Sequence, residues 1–103
     1  MRGLASWYGR REQGRRMANG QRFDRNGYTA ASRVYKLGTM LRVTYPRTGL
    51  TVIVRVTDRG PYVRRRVLDL SERAARVLGL KPYGVGQVEI QPLHRQWGNV
   101  LWQ

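Results

Sequence analysis

Apolar residues at every second position mark the most regular stretch of the chain, residues 51–63, TVIVRVTDRGPYV. Val52, Val54 and Val56 fall on one face of a strand there, and the same alternation puts Asp58 next on that face. Gly60-Pro61 closes the strand, because proline has no ladder donor and glycine permits a sharp turn. Residues 40–45 alternate as a second strand, and Pro46-Arg47-Thr48-Gly49 reads as the hairpin turn between the two. Earlier, residues 4–9 form a short aromatic-rich strand stopped by Gly9. Residues 28–36 fit a short helical turn or a strand equally well. Residues 67–70 are another strand, and a helix follows it. Ser71 is suited to its N-cap, Glu72 to its first turn and Gly79 to the position just past its end, with Ala74, Ala75, Val77 and Leu78 as the apolar face. A turn at Lys81-Pro82-Tyr83-Gly84 leads into the last strand, around Val88 and Ile90. The domain is expected over residues 1–93, and residues 94–103, with Trp97 and Trp102, read as a tail.

Between the first two apolar runs lies RREQGRRMANGQRFDRNG, with the turn dipeptides Asn19-Gly20 and Asn26-Gly27. A loop of this length in a small domain is either a binding loop or a mobile basic connection. Residues 28–44 faintly echo 67–91: a short element, then Leu-Gly, then a strand. Two such units suit a small closed β-barrel with pseudo-twofold symmetry, and closure removes exposed strand edges.

Charge changes the picture most. Twenty Lys and Arg residues stand against six Asp and Glu, for a net charge of +14. Such a surface attracts polyanions: nucleic acid, anionic wall polymers or the muropeptide layer. A recognition helix or an aromatic platform motif, which a nucleic-acid module would show, is missing, although Trp7, Tyr8, Tyr62 and Tyr83 can stack on bases or on sugars. The charge also opposes self-association, so a monomer is expected. No cysteine is present, which removes disulfides and thiolate metal sites. No apolar run reaches the roughly 18 residues of a membrane span. Met1-Arg2-Gly3 leads straight into a strand, so no signal peptide is expected within these residues, and an exported protein would carry its targeting segment ahead of them.

Asp58 is the acid that most needs a reason, flanked as it is by Arg55, Arg59 and Arg64–Arg66. It is either a turn residue tying down arginine or backbone N–H groups, or a functional acid. Strand alternation sends Arg55 to the opposite face. Asp24 is a cleft residue or a turn anchor, and Asp69 in LDLS supports the barrel or caps the helix. Trp7 and Tyr8 either stack on sugar faces or join the core. Nothing has metal-ligand spacing.

Several segments, in order, resemble the rare lipoprotein A (RlpA) family: ASWYG at 5–9, MANGQRFD at 17–24, YTAAS at 28–32, LGTMLRVT at 37–44, VIVRVTDRGPYV at 52–63 and VLDLSERAARVLG at 67–79. The resemblance covers residues 4–93 and implies a mainly β fold, a six-stranded double-psi β-barrel with one or two short helices. It implies an exported protein of the periplasm, outer membrane or cell wall that acts on peptidoglycan glycan strands, including strands stripped of stem peptides. The implied reaction is lytic transglycosylation, in which the C6 hydroxyl of N-acetylmuramic acid attacks its own anomeric carbon and leaves a 1,6-anhydro end. The family's catalytic Asp maps onto Asp58. Asn19, Gly20, Asp24 and Arg59 are expected to line the cleft, with Trp7, Tyr8 and Tyr62 as sugar contacts, and no cofactor is expected. The family's histidine is replaced by Ser32, which cannot act as an imidazole acid or base but can orient Asp58 or a sugar hydroxyl. Gln21 and Thr57 depart from the common Glu and Asn. His94, the sole histidine, reads as a tail residue rather than a substitute. These departures keep open a non-catalytic, expansin-like wall-binding barrel, with a basic nucleic-acid module as a third reading.

Overall fold

The structure, a computed structural model, describes residues 1–93. His94, Trp97 and Trp102 and the expected tail lie outside the described residues. Six strands follow in chain order: β1 (Arg2–Tyr8), β2 (Thr29–Ser32), β3 (Met40–Tyr45), β4 (Leu50–Asp58), β5 (Arg66–Ser71) and β6 (Gly86–Leu93). One α-helix, α1 (Glu72–Leu78), follows β5, and single 3-10 turns cover Arg10–Glu12 and Lys81–Tyr83.

The strands close into a ring in the order β1-β5-β2-β4-β3-β6. Only β1–β5 and β2–β4 run parallel; the other four pairs are antiparallel. Exchanging β1, β2 and β3 for β4, β5 and β6 maps this ring onto itself, which is the pseudo-twofold foreshadowed by the sequence echo. Alternate residues of each strand fill the interior: Ala5, Ala30, Leu41, Val43, Val52, Val54, Val56, Leu68, Leu70, Val88 and Ile90 are buried together. Small residues on β1 and β2 suit the tight interior of a six-stranded ring.

The helix is capped as its sequence dictates. Ser71 Oγ accepts from the Ala74 amide at 3.3 Å, and Gly79 takes the left-handed conformation at φ 75° that stops it. Ala74, Ala75 and Leu78 pack on the barrel, but Val77 is 39% exposed and does not join the apolar face. At seven residues, the helix has room for only a narrow buried stripe.

Within residues 28–36 the first half, Thr29–Ser32, forms strand β2 rather than a helical turn, and a bend follows it. Its short, weakly periodic sequence is held on both sides, by β4 and by β5, so pairing overrides local propensity. The long 10–27 segment carries its own small cluster: Phe23 and Met17 are buried, the Phe23 ring stacks on Tyr8 at 4.3 Å between centroids, and Arg16 bridges to Arg22. It is an ordered flap laid along the outer face of the barrel.

Candidate active site

The site begins with a slip in register. Ala30 of β2 pairs with Val56, but the next residue, Ala31, pairs with Asp58, so Thr57 is passed over. A bulge of this kind re-aims the side chain that follows it. Ala30 and Val56 face the core, and Asp58 therefore shares the other, outer face with Ala31. Simple alternation had placed Asp58 on the face of Val52, Val54 and Val56; the bulge moves it to the opposite side. Thr57, 2% exposed, sits beneath the flap with its hydroxyl against Met17 Sδ at 3.2 Å, and its carbonyl accepts from the Asn19 amide at 3.1 Å.

The Asp58 carboxylate is half-buried and fixed by the backbone. Its Oδ1 accepts from the Ala18 amide and from the Arg59 amide, both at 2.9 Å. Among the described residues nothing bonds to Oδ2. The flap thus positions the acid through the amide of Ala18, the residue just ahead of Asn19. Arg59 turns its guanidinium away: Nη1 donates to the carbonyls of Ser32 and Tyr35 at 2.8 and 2.7 Å. Ser32, fully buried, uses its hydroxyl to accept from the amides of Val34 and Tyr35 at 3.0 and 2.9 Å. Its register partner is the core residue Leu68. Ser32 therefore shapes the turn that seats Arg59: its hydroxyl oxygen accepts from backbone amides, and no hydrogen bond joins it to Asp58 among the described residues.

The same outer row continues past Ala31. On its second edge Ala31 pairs with Asp69 of β5, and Asp69 pairs in turn with Ser6 of β1. Ser6 Oγ donates to Asp69 Oδ1 and accepts from Arg66 Nη1 at 3.3 Å. The helix cap is supplied by Ser71, so Asp69 is free of that role. Of the two readings offered for Asp69, the cap is excluded, and its bond to Ser6 on the neighbouring strand fits the support of the barrel.

Tyr8 overhangs this row. One face of its ring is covered by Phe23, and its hydroxyl is buried with no partner among the described residues. Burial, then the charges of Asp58, Asp69 and Glu12, push its phenol far above the usual range and keep it protonated, a neutral donor. Trp7 points to the other side of β1, packing against the core with its indole N–H donating to the Lys81 carbonyl at 3.3 Å. It does not join Asp58. Asn19 and Gly20 lie in the flap beside Asp58, where Asn19 Oδ1 accepts from the Gln21 amide at 2.9 Å. Asp24 anchors a turn by accepting from the Asn26 amide at 3.0 Å, and no contact links it to Asp58. Tyr62, 78% exposed, stands on the loop after β4.

The ring order, with its two parallel pairs among antiparallel ones, defines a double-psi β-barrel, here carrying a carboxylate-bearing outer face half-covered by a flap. The lytic transglycolase family profile matches residues 1–90, and the chain belongs to that family. It is 51% identical over 88 residues to the probable endolytic peptidoglycan transglycosylase RlpA of Synechocystis, an alignment that takes in 85% of this chain and 27% of that protein. The chain therefore spans about a quarter of the length of this relative. Among solved structures, the Streptomyces papain inhibitor superposes with a TM-score of 0.73 at 23% identity, covering 91% of this chain and 94% of the inhibitor. A variant Clavibacter expansin in complex with cellohexaose superposes at 0.69 with 26% identity, over 91% of this chain and 51% of the expansin.

Proposed function

We propose that this barrel is an endolytic peptidoglycan transglycosylase in which Asp58 is the proton-transfer group. The observation that carries the reading is the fixing of Asp58 on the outer face: one oxygen is locked by two amides and the other has no protein partner among the described residues. The reaction needs a proton delivered to the glycosidic oxygen between N-acetylmuramic acid and N-acetylglucosamine, and a base for the C6 hydroxyl that attacks the anomeric carbon. Asp58 Oδ2 supplies the first need, and the same carboxylate, once ionised, can take the second proton in turn. No water enters, so the product keeps a 1,6-anhydro ring.

Around it, the Tyr8 ring, stacked on Phe23, backs the groove, and the flap residues Asn19 and Gly20 border it. Ser32 and Arg59 hold the far wall, and Tyr62 provides an exposed aromatic face. A variant Clavibacter expansin that shares this barrel over 51% of its length is seen in complex with cellohexaose, a glycan. The substrate places the protein outside the cytoplasm, in the periplasm or wall, and its excess of basic groups favours anionic wall polymers as secondary partners. A digest of amidase-stripped sacculi, read by mass spectrometry for anhydro ends, tests the activity. A protein that pellets with sacculi yet releases nothing supports the non-catalytic, expansin-like alternative, for which the replacement of the family histidine by Ser32 speaks.

A further inference from the structure

Resting on that reading and refining its proton traffic, we infer that Asp69 is a second catalytic carboxylate, which takes the C6-hydroxyl proton while Asp58 protonates the leaving oxygen. Three independent features of the outer face lead there. First, Asp58 and Asp69 are both register partners of Ala31, on its two edges. Two strand spacings put their backbones about 10 Å apart on one face, with only an alanine methyl between, which leaves room for a sugar ring to settle over the gap. Second, Asp69 is oriented through one oxygen by a neutral hydroxyl and is half-buried. Its hydrogen-bond partner among the described residues is Ser6, itself 3% exposed, and Arg66 donates to Ser6 so that the serine proton is committed to Asp69. Asp69 makes no direct ion pair among the described residues. Third, the buried Tyr8 hydroxyl has no protein partner there and sits within the field of both carboxylates. It is a donor waiting for an acceptor that the protein does not provide.

In this division the C1–O6 bond forms as the C1–O4 bond breaks. The electron pair of the broken bond stays on O4, which receives the proton of Asp58, and the O6 proton passes to Asp69. Asp58 ends ionised and Asp69 protonated; exchange with solvent at the open face restores both. No water or other co-reactant is consumed. Ser6 and Arg66 are positioning residues, acting through Asp69. The charged and titratable groups facing Asp69 are Arg66 on its own strand, Tyr8 on β1 and Asp58 on β4, with Glu12 from the turn after β1 acting on Tyr8.

The test measures turnover of amidase-stripped glycan against pH for the parent, Asp69→Asn and Ser6→Ala, beside melting temperature and sacculus pelleting. A base and an acid on separate residues give the parent a bell-shaped profile. Asp69→Asn is expected to lower turnover about 100-fold and to remove the acidic limb, with melting and pelleting unchanged. Ser6→Ala is expected to lower turnover about 10-fold, the loss of one hydrogen bond to a charged group, while keeping both limbs. Parental turnover in Asp69→Asn overturns the assignment, as does a slow variant that keeps the parental bell and melts early, which marks a structural role. A parent that forms no anhydro ends contradicts the activity itself and takes this assignment with it.

Discussion

At the scale of single residues, the difference between Asp58 and Ser32 is one of what each atom is already bonded to. Asp58 keeps one oxygen uncommitted, whereas the Ser32 hydroxyl is taken by the amides of Val34 and Tyr35. Ser32→Ala therefore loses a turn cap and should lower stability by about 1 kcal/mol, read as a fall in urea midpoint with an unchanged slope. A stability equal to the parent's would show that the turn does not depend on the hydroxyl. Ser32→His puts a larger ring on the core side, opposite Leu68, and is expected to destabilise by about 1–3 kcal/mol through overpacking. Asp58 itself was legible in the sequence from its place after VIVRVT and from the family motif. Its direction was not, because the bulge at Thr57 is a fact of pairing with β2, and a single strand cannot reveal where its partner skips a residue. The placing of Asp69 and Asp58 on either side of Ala31 was hidden for the related reason that Ala31 is far from both in the chain.

At the scale of elements, α1 is tied down by its first residue. Glu72 accepts from Lys81 Nζ at 2.8 Å and lies within 3.7 Å of both Arg25 and Arg76. The hydrogen bond from Lys81 is the largest of the effects that hold its carboxyl below the usual value of 4.5, and the charges of Lys81, Arg25 and Arg76 act in the same direction against its burial. A depressed folded-state value stabilises the protein above the unfolded-state value, and that contribution disappears as pH falls through the folded one. Glu72→Gln should thus lower stability by about 1–2 kcal/mol at neutral pH, and the gap to the parent should close in acid, below the ordinary glutamate range. Thermal melts from pH 7 downward check this; a gap that persists unchanged in acid would assign the effect to packing. Since Arg25 belongs to the flap, the same residue fastens the flap to the helix. The caps Ser71 and Gly79 were readable in advance, because capping is a local matter of residue type and spacing. The extent of the buried face was not: Val77 has the right periodicity but lies beyond the barrel's reach.

For the whole molecule, closure of the ring followed from short strands, frequent turns and an internal echo, and the pseudo-twofold order supplies its physical form. The 10–27 flap was visible as a long basic loop, but its order comes from Met17 and Phe23 packing on Thr57 and Tyr8, contacts that no local pattern encodes. The surplus of charge acts at this largest scale. Two of the six acids, Glu72 and Glu89, engage four basic side chains, and the rest of the acids are bonded to N–H or hydroxyl groups. The remaining arginines therefore create an unbalanced positive field. Pelleting with sacculi should weaken markedly between about 0.05 and 0.5 M salt as screening shortens the reach of that field. Binding unaffected by salt would mean that stacking and hydrogen bonds in the groove, not charge, hold the glycan.

In the proposed function the barrel cleaves glycan without water and depends on Asp58. The most direct test of this is the mass-spectrometric digest of intact and amidase-stripped sacculi by the parent and Asp58→Asn. The parent is expected to leave 1,6-anhydro ends, and a folded Asp58→Asn protein to lose at least ~100-fold of them. Reducing ends in place of anhydro ends, or equal release by both proteins, would contradict it.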